Sequence, residues 1–245
     1  MESWFLSDIH LKSVNERSGR TLLRFLSDLL DSKKSGVLFL LGDIFDLWVS
    51  DHAVFIRRFY PLIEKLKELR AERWEIHYFE GNHDLHLKPY FEDQLGFHVH
   101  TGPEYFHLGS LVVRCEHGDQ INAEDKAYLR YRALVRSKPL EILAHHVPGK
   151  VWDVLGTTLS AESRKRSSVY RRDRHDELVN IIRSHARKAW HSKNFDLIVS
   201  GHMHIRDDYA FMEGEKKIRS VNLGSWLDEP TALHLTSEGL SWVSL

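Results

Sequence analysis

One cysteine in 245 residues, Cys115, leaves the chain without an intramolecular disulfide and without a thiolate-rich metal site. Any metal chemistry therefore falls to oxygen and imidazole ligands. No apolar run approaches the roughly 20 residues that cross a bilayer. The N-terminus, Met1-Glu2-Ser3-Trp4-Phe5-Leu6, lacks a basic region followed by an apolar stretch and a small-residue cleavage site. These absences argue against secretion and make the cytoplasm the expected compartment. Charge of one sign is also missing: 34 Lys and Arg stand against 35 Asp and Glu. A uniformly positive surface is excluded, and no nucleic-acid partner is expected. There is no internal repeat, low-complexity tract or Pro/Gly/Ser-rich linker, and no obligate protein partner is evident.

What remains, 42% hydrophobic and 28% charged residues, is an ordinary globular composition. The length suffices for one sizeable core, so a single domain over 1–245 is expected. Seventeen histidines are the one unusual count. Only their placement relative to carboxylates carries information. Cys115 reads as a small buried side chain.

Short strand-like runs alternate with helical periods, the mark of an α/β layered domain. Strands are expected at Trp4–Leu6, Val37–Leu41, from Trp74, at Phe97–His100, Tyr105–Leu108 and Leu111–Cys115. Leu22, Phe25, Leu26, Leu29 and Leu30 recur at helical spacing, and Phe55 through Leu69 read as one further helix. From about 123 to 190 the pattern becomes helical, interrupted at Pro139 and Pro148-Gly149. This stretch is an expected insertion within the domain. Strands resume at Asp196–Ser200, Tyr209–Phe211 and Ile218–Val221, and a hairpin over Thr231–Leu235 and Leu240–Val243 closes the chain.

The metal-capable residues fall just past the carboxyl ends of these strands. Asp8 and His10 follow the first, Asp43 the next, Asn82 the third, His117 a later one, and His202 and His204 the late strand. In α/β sheets, loops from several strands converge at that edge to form ligand sites. Two carboxylates, four imidazoles and one amide suit hard or borderline divalent cations. Asp43, alone on its loop, is the choice to bridge two metals. Asp8, His10 and His204 would complete one site, and Asn82, His117 and His202 the other. Two such metals, roughly 3.5 to 4 Å apart, ionise a shared water and hold a phosphoryl group for in-line attack. His83 would then face the phosphoryl oxygen or the leaving group, with Asp84 accepting its other N–H. Glycines 42, 81 and 201 would allow sharp turns and close backbone approach.

The segments Asp8-Ile9-His10, Gly42-Asp43, Gly81-Asn82-His83-Asp84, His117 and Gly201-His202-Met203-His204 resemble, in order and approximate spacing, the signature of the calcineurin-like metallophosphoesterases. The resemblance runs from residue 4 to about 226. It implies a two-sheet sandwich flanked by helices and a dinuclear Mn, Fe or Zn centre, manganese foremost. A narrower likeness rests on Leu41-Gly42-Asp43-Ile44-Phe45-Asp46-Leu47-Trp48, on His117-Gly118-Asp119-Gln120, and on Asp125, Ala127-Tyr128 and Arg132. These are similar to the bacterial UDP-2,3-diacylglucosamine pyrophosphohydrolases of lipid A synthesis, although the best-known branch of that group has arginine in place of His83. That likeness implies a lipid-linked nucleotide-sugar substrate, cleaved to lipid X and UMP, and peripheral contact with the inner membrane. Asp125 and Tyr128 become candidate substrate contacts, as do Arg164, Lys165 and Arg171 in the basic stretch of the insertion.

The apolar faces of the insertion, Leu140, Leu143, Val147, Val151, Val154 and Leu155 with Trp152, fit either packing on the core or an acyl-chain pocket. His52, His77, His86, His98, His100 and His107 have no carboxylate partner at suggestive spacing and stay unassigned. Asn222-Leu223-Gly224-Ser225-Trp226 reads as a turn that shapes the site. Two rival functions stand beside the leading one: a phosphodiesterase or phosphatase acting on nucleotides or nucleic acid, and a non-catalytic scaffold of the same fold.

Overall fold

The computed structural model describes residues 2–154, 156 and 174–245. Strand β1 (Glu2–Leu6) pairs in parallel with β2 (Gly36–Leu40), all five residues of which are buried. Burial on both faces is what a central parallel strand requires, and it explains the unbroken apolar run Val37–Leu41. Helix α1 (Arg17–Asp31) connects them, presenting Leu22, Phe25, Leu26 and Leu29 to the sheet. After the short β3 (Trp48–Val49) come α2 (Ala53–Arg58) and α3 (Tyr60–Ala71).

The single helix expected over Phe55–Leu69 is therefore two. The break falls at Phe59, whose φ of −108° and ψ of 16° leave the helical region. Pro61 is the cause: it has no N–H for the Arg57 carbonyl four residues back, and its ring collides with that carbonyl. The apolar spacing survives the break because Phe55, Phe59, Leu62, Ile63, Leu66 and Leu69 are all buried.

Strand β4 (Glu75–Phe79) adds in parallel to β2. Next come β5 (Asp84–Leu85), which pairs with β3, a π-helical turn at Lys88–Glu92, and β6 (His98–His100), parallel to β4. A second sheet begins with the antiparallel β7 (Glu104–Leu108) and β8 (Leu111–Cys115). The described residues from 126 to 154 are largely helical: α4 (Lys126–Val135), α5 (Lys138–His146) and a helical stretch over 149–154. Pro139 lies in the first turn of α5, and Pro148 separates α5 from that stretch. Then follow α6 (His175–Ser192), β9 (Leu197–Ser200), β10 (Arg206–Glu213), β11 (Lys216–Leu223) and the closing hairpin of β12 (Thr231–Thr236) and β13 (Gly239–Ser244).

The first sheet has the order β13-β12-β1-β2-β4-β6 and the second β10-β11-β9-β8-β7. The fold is thus an α/β two-sheet sandwich flanked by helices. Phe5, Val37, Phe39, Leu41 and Phe79 of one sheet pack with Val113, Cys115, Leu197, Val199 and Val221 of the other. Cys115 is fully buried, and burial pushes its thiol well above the ordinary range, as befits a packing residue. Helices α1 and α3 cover the outer face of the first sheet, and α6 that of the second. Parallel register makes the carboxyl ends of β1, β2 and β4 level, and likewise those of β8, β9 and β11. All the loops carrying candidate ligands leave from those ends.

Candidate metal centre

Five of the seven candidate ligands have positive φ: Asp8 (51°), His10 (53°), Asp43 (54°), His202 (65°) and His204 (52°). Non-glycine residues rarely adopt this left-handed conformation, and each costs on the order of 1–3 kcal/mol. Such strain persists where the surroundings over-determine it. Here the surroundings are backbone bonds between ligand loops: Asp8 N–H donates to Gly42 O at 3.1 Å, and His10 N–H to Asp43 O at 3.0 Å.

The side chains converge as two triads. In the first, His204 Nε2 lies 3.1 Å from both Asp8 Oδ1 and His10 Nε2. In the second, Asn82 Oδ1 lies 2.9 Å from His202 Nδ1 and 3.3 Å from His117 Nε2. Asp43 Oδ2 stands between them, 3.9 Å from His10 Nε2 and 3.7 Å from His117 Nε2. Ligand atoms around a tetrahedral cation with bonds of about 2.1 Å are separated by about 3.4 Å. The observed spacings bracket that value.

The chemistry of the donors also fits a cation. Asp8 Oδ1 is fully buried with His204 Nε2 at 3.1 Å and His10 Nε2 at 4.0 Å, an arrangement in which a carboxylate oxygen and two imidazole nitrogens face one point. Burial pushes His10 down to about 3 and His202 down to about 4, so both are neutral with a lone pair to offer. Burial works to raise the Asp43 carboxyl, but the imidazoles of His117, His83 and His10 outweigh it and hold it well below the usual range. His117 is the exception among the imidazoles: burial opposes its charged form, yet Asp43 and Asp8 raise it. Its Nδ1 lies 2.8 Å from Leu41 O, which fixes the proton there and turns Nε2 inward.

Close approach explains two glycines. A Cβ on Gly81 would lie 2.0 Å from Asp43 Oδ1, and one on Gly42, where φ is 84°, would lie 2.4 Å from His117 Nδ1.

One expected contact is not formed. Asp84 does not meet His83; it is fully buried behind Asp43, where it accepts the N–H groups of Asp43 (3.0 Å), Ile44 (2.9 Å) and Gly81 (2.7 Å) and the Tyr78 hydroxyl (2.8 Å). The donors crowded round it leave no room for an imidazole. Burial and the adjacent Asp43 charge push the Asp84 carboxyl up to about 7. The partner of His83 Nδ1 is instead Asp46 O, at 2.9 Å, while the His83 N–H holds Asp43 Oδ1 at 2.9 Å. Bound through Nδ1, His83 has Nε2 left for a reactant, and its ring stands edge-on to His10 with centroids 4.8 Å apart.

Comparison with known proteins gives the family. A family model described as calcineurin-like phosphoesterase matches residues 1–206. The chain belongs to the calcineurin-like phosphoesterases. A protein of Porphyromonas gingivalis named UDP-2,3-diacylglucosamine hydrolase is 30% identical over 91% of this phosphoesterase and 90% of its own length. One of the same name from Neisseria gonorrhoeae is 27% identical, covering 98% and 97%. Among solved structures, an archaeal phosphodiesterase superimposes over the full length of both chains with a TM-score of 0.50 at 16% identity, a likeness of fold. The phosphoesterase is a metal-dependent hydrolase by family, and its buried carboxylate and imidazole cluster is the place for divalent cations.

Of the candidate substrate contacts, Tyr128 lies against the centre, its ring 5.4 Å from that of His202 and its buried hydroxyl without a partner. Asp125 is engaged as the N-cap of α4, accepting the Tyr128 N–H at 2.9 Å. Arg164, Lys165 and Arg171 lie outside the described residues. The turn at 222–226 does more than shape the site. Asn222 Nδ2 donates to Gly201 O at 2.7 Å, and Ser225 Oγ to Asp8 O at 3.2 Å, so it braces two ligand loops.

Sequence reasoning missed Arg136. From the end of α4 its guanidinium donates to Glu80 O (3.1 Å), Gly81 O (2.8 Å) and Glu80 Oε2 (3.0 Å) and reaches Asp119 Oδ2 at 3.4 Å. It thereby clamps the backbone just before Asn82 and the loop just after His117. No spacing rule links position 136 to either loop, so the role was invisible before folding. Arg136→Ala should leave Glu80 a buried, unpaired carboxylate, costing about 3–5 kcal/mol of stability, and should weaken metal affinity about 10–100-fold. Denaturant unfolding and metal dialysis check both. Lost stability with unaltered metal affinity would show that the clamp does not position the ligands.

Proposed function

We propose that this phosphoesterase is a dinuclear-metal hydrolase that cleaves the pyrophosphate of UDP-2,3-diacylglucosamine, giving 2,3-diacylglucosamine 1-phosphate and UMP. The observation that carries the dinuclear reading is the pair of triads meeting at Asp43 Oδ2. Asp8, His10 and His204 would hold one cation, Asn82, His117 and His202 the other, with Asp43 shared. Manganese is our choice, since carboxylate, amide and imidazole suit it and no thiolate is at hand. When bound, such a pair supplies a Lewis acid and an ionised water.

The protein residues do the rest. Asp84 locks the Asp43 peptide, and the His83 N–H orients the bridging carboxylate. His83 Nε2 is the group placed to meet a phosphoryl oxygen or to protonate the leaving phosphate. Tyr128, at the mouth of α4 beside His202, would line the nucleotide side.

Two observations support the lipid-linked substrate. Relatives bearing that name match nearly end to end. Further, Tyr131, Leu134, Ile142, Leu143, Val151 and Val154, on the helices between β8 and β9, are about half exposed or more. Packing on the core does not account for those side chains, whereas acyl chains and the inner membrane surface would cover them. We read these helices as an insertion into a single domain. No helix among the described residues is long and apolar enough to cross a membrane, so peripheral contact is the mode we propose.

The test is a side-by-side assay of the manganese-loaded protein on UDP-2,3-diacylglucosamine, an aryl phosphodiester and single-stranded DNA. The acylated nucleotide-sugar should lead in kcat/KM by at least about a hundredfold, ~2.7 kcal/mol of transition-state binding. A lead for DNA or for the aryl ester would transfer the function to the nucleotide phosphodiesterases, and inactivity on all three would favour the scaffold reading.

A further inference from the structure

The helices between β8 and β9 are pinned to one short segment of the core. Arg58, the last residue of α2, grips Asp153 with both ends of its guanidinium: Nη1 lies 2.8 Å from Oδ1 and Nη2 2.5 Å from Oδ2. A fork on a carboxylate fixes orientation as well as distance. His52, just before α2, donates from Nε2 to the Ala144 carbonyl at 2.7 Å, satisfying one of the acceptors that the end of α5 leaves free. Beside it, His145 Nδ1 lies 3.1 Å from Asp51 Oδ1.

Each pin stands beside apolar side chains that the core does not take up. Ala144 is buried and Trp152 packs on the core of the first sheet, while their neighbours Leu143, Val151 and Val154 are exposed. The pinned segment is in turn braced against the catalytic cluster. Trp48 N–H donates to His83 O at 2.9 Å, and Ser50 N–H to Leu85 O at 3.1 Å. The buried Trp48 ring holds Ser50 O through Nε1 at 2.6 Å. One frame, running from Trp48 to Arg58, therefore carries the loop of His83 at its start and the helices with their exposed apolar side chains at its end.

Resting on the reading of those side chains as the cover for a lipid chain, we propose that Arg58 and Asp153 are positioning residues for substrate choice. The pair fixes the distance between Leu143, Val151 and Val154 and the reacting phosphoryl group, and so selects phosphodiesters and pyrophosphates that carry a long alkyl or acyl chain. Neither residue touches the reacting atoms. Both are partly exposed, at 30% and 22%, which places them at the margin of the fold rather than in its core. Contact of a chain with apolar side chains far from the phosphorus is equally strong in ground and transition states, so its loss raises KM and leaves kcat alone.

Two aryl phosphodiesters that differ only in the second ester, methyl or octyl, separate chain recognition from the chemistry and from the nucleotide-sugar. Manganese-loaded wild type should show a KM for the octyl ester at least about tenfold below that for the methyl ester, what burial of about two methylenes supplies. Arg58→Ala and Asp153→Ala should each lose most of that preference, with kcat on both esters and KM for the methyl ester unchanged. The double variant should lose no more than either single one, because the same interaction is removed each time. Arg58→Lys, which keeps the charge without the fork, should recover part of the preference. An equal preference in wild type and variants overturns the proposal. So does a wild type without preference, or a loss shared equally by both esters, the mark of a pair that only stabilises the fold. The outcome is independent of the substrate assignment: variants that lose the octyl preference of a protein inert on UDP-2,3-diacylglucosamine would sustain the role of the pair and end that assignment.

Discussion

Asp43→Ala should hold neither cation and lose at least about four orders of magnitude in kcat, ~5.4 kcal/mol of transition-state stabilisation. The expectation follows from position. Every other candidate ligand belongs to one triad, whereas Asp43 Oδ2 approaches both, and Asp43 Oδ1 receives the His83 N–H. Removing the carboxylate takes away the shared anion that offsets repulsion between two cations. It also removes the charge that raises His117, yet a neutral His117 alone cannot rebuild the bridge. Metal content by mass spectrometry and turnover of an aryl phosphodiester are the measurements. A variant that retains two metals contradicts the bridging role even if its activity falls.

His83→Ala should do the opposite in one respect: both metals stay and kcat drops about 10²–10³-fold, within the range of general acid catalysis. His83 is tied to Asp46 O through Nδ1 and lies beside the first triad with its other nitrogen unclaimed by either triad. Loss of the side chain therefore removes a proton donor. The leaving group gives a second reading: an activated aryl ester, which needs less protonation, should suffer less than a pyrophosphate. Loss of a metal in this variant would instead place His83 among the ligands, since His10, Asp46 and His83 could themselves hold an ion.

Residue spacing alone was enough to place Asp8, His10, Asp43, Asn82, His117, His202 and His204 just past strand ends, but they converge from two sheets, the first four from one and the three later histidines from the other. Each follows a run whose apolar character marks a strand, and parallel strands place such loops together. Strand placement was legible for the same reason. Leu111–Cys115 was read to the residue, while β10 and β11 extend beyond their apolar centres because exposed residues such as Arg206 and Lys216 are held by ladder bonds rather than by burial. The break at Phe59 could have been foreseen from Pro61. The partners of Asp84, His83 and Arg136 could not. Each is chosen by a backbone atom or side chain distant in the chain, as Asp84 is by the Asp43 and Ile44 amides and Arg136 by the Glu80 and Gly81 carbonyls.

The amino-acid order by itself determined the layered α/β class and placed the candidate ligands just past strand ends, because hydrophobic period and strand polarity are local properties of a chain. Only the tertiary structure decided which oxygen faces which nitrogen and that Asp84 supports Asp43 rather than His83. Those choices depend on distances of a few ångströms between side chains brought together by sheet register. Such distances exist only once burial and hydrogen bonding have closed the fold.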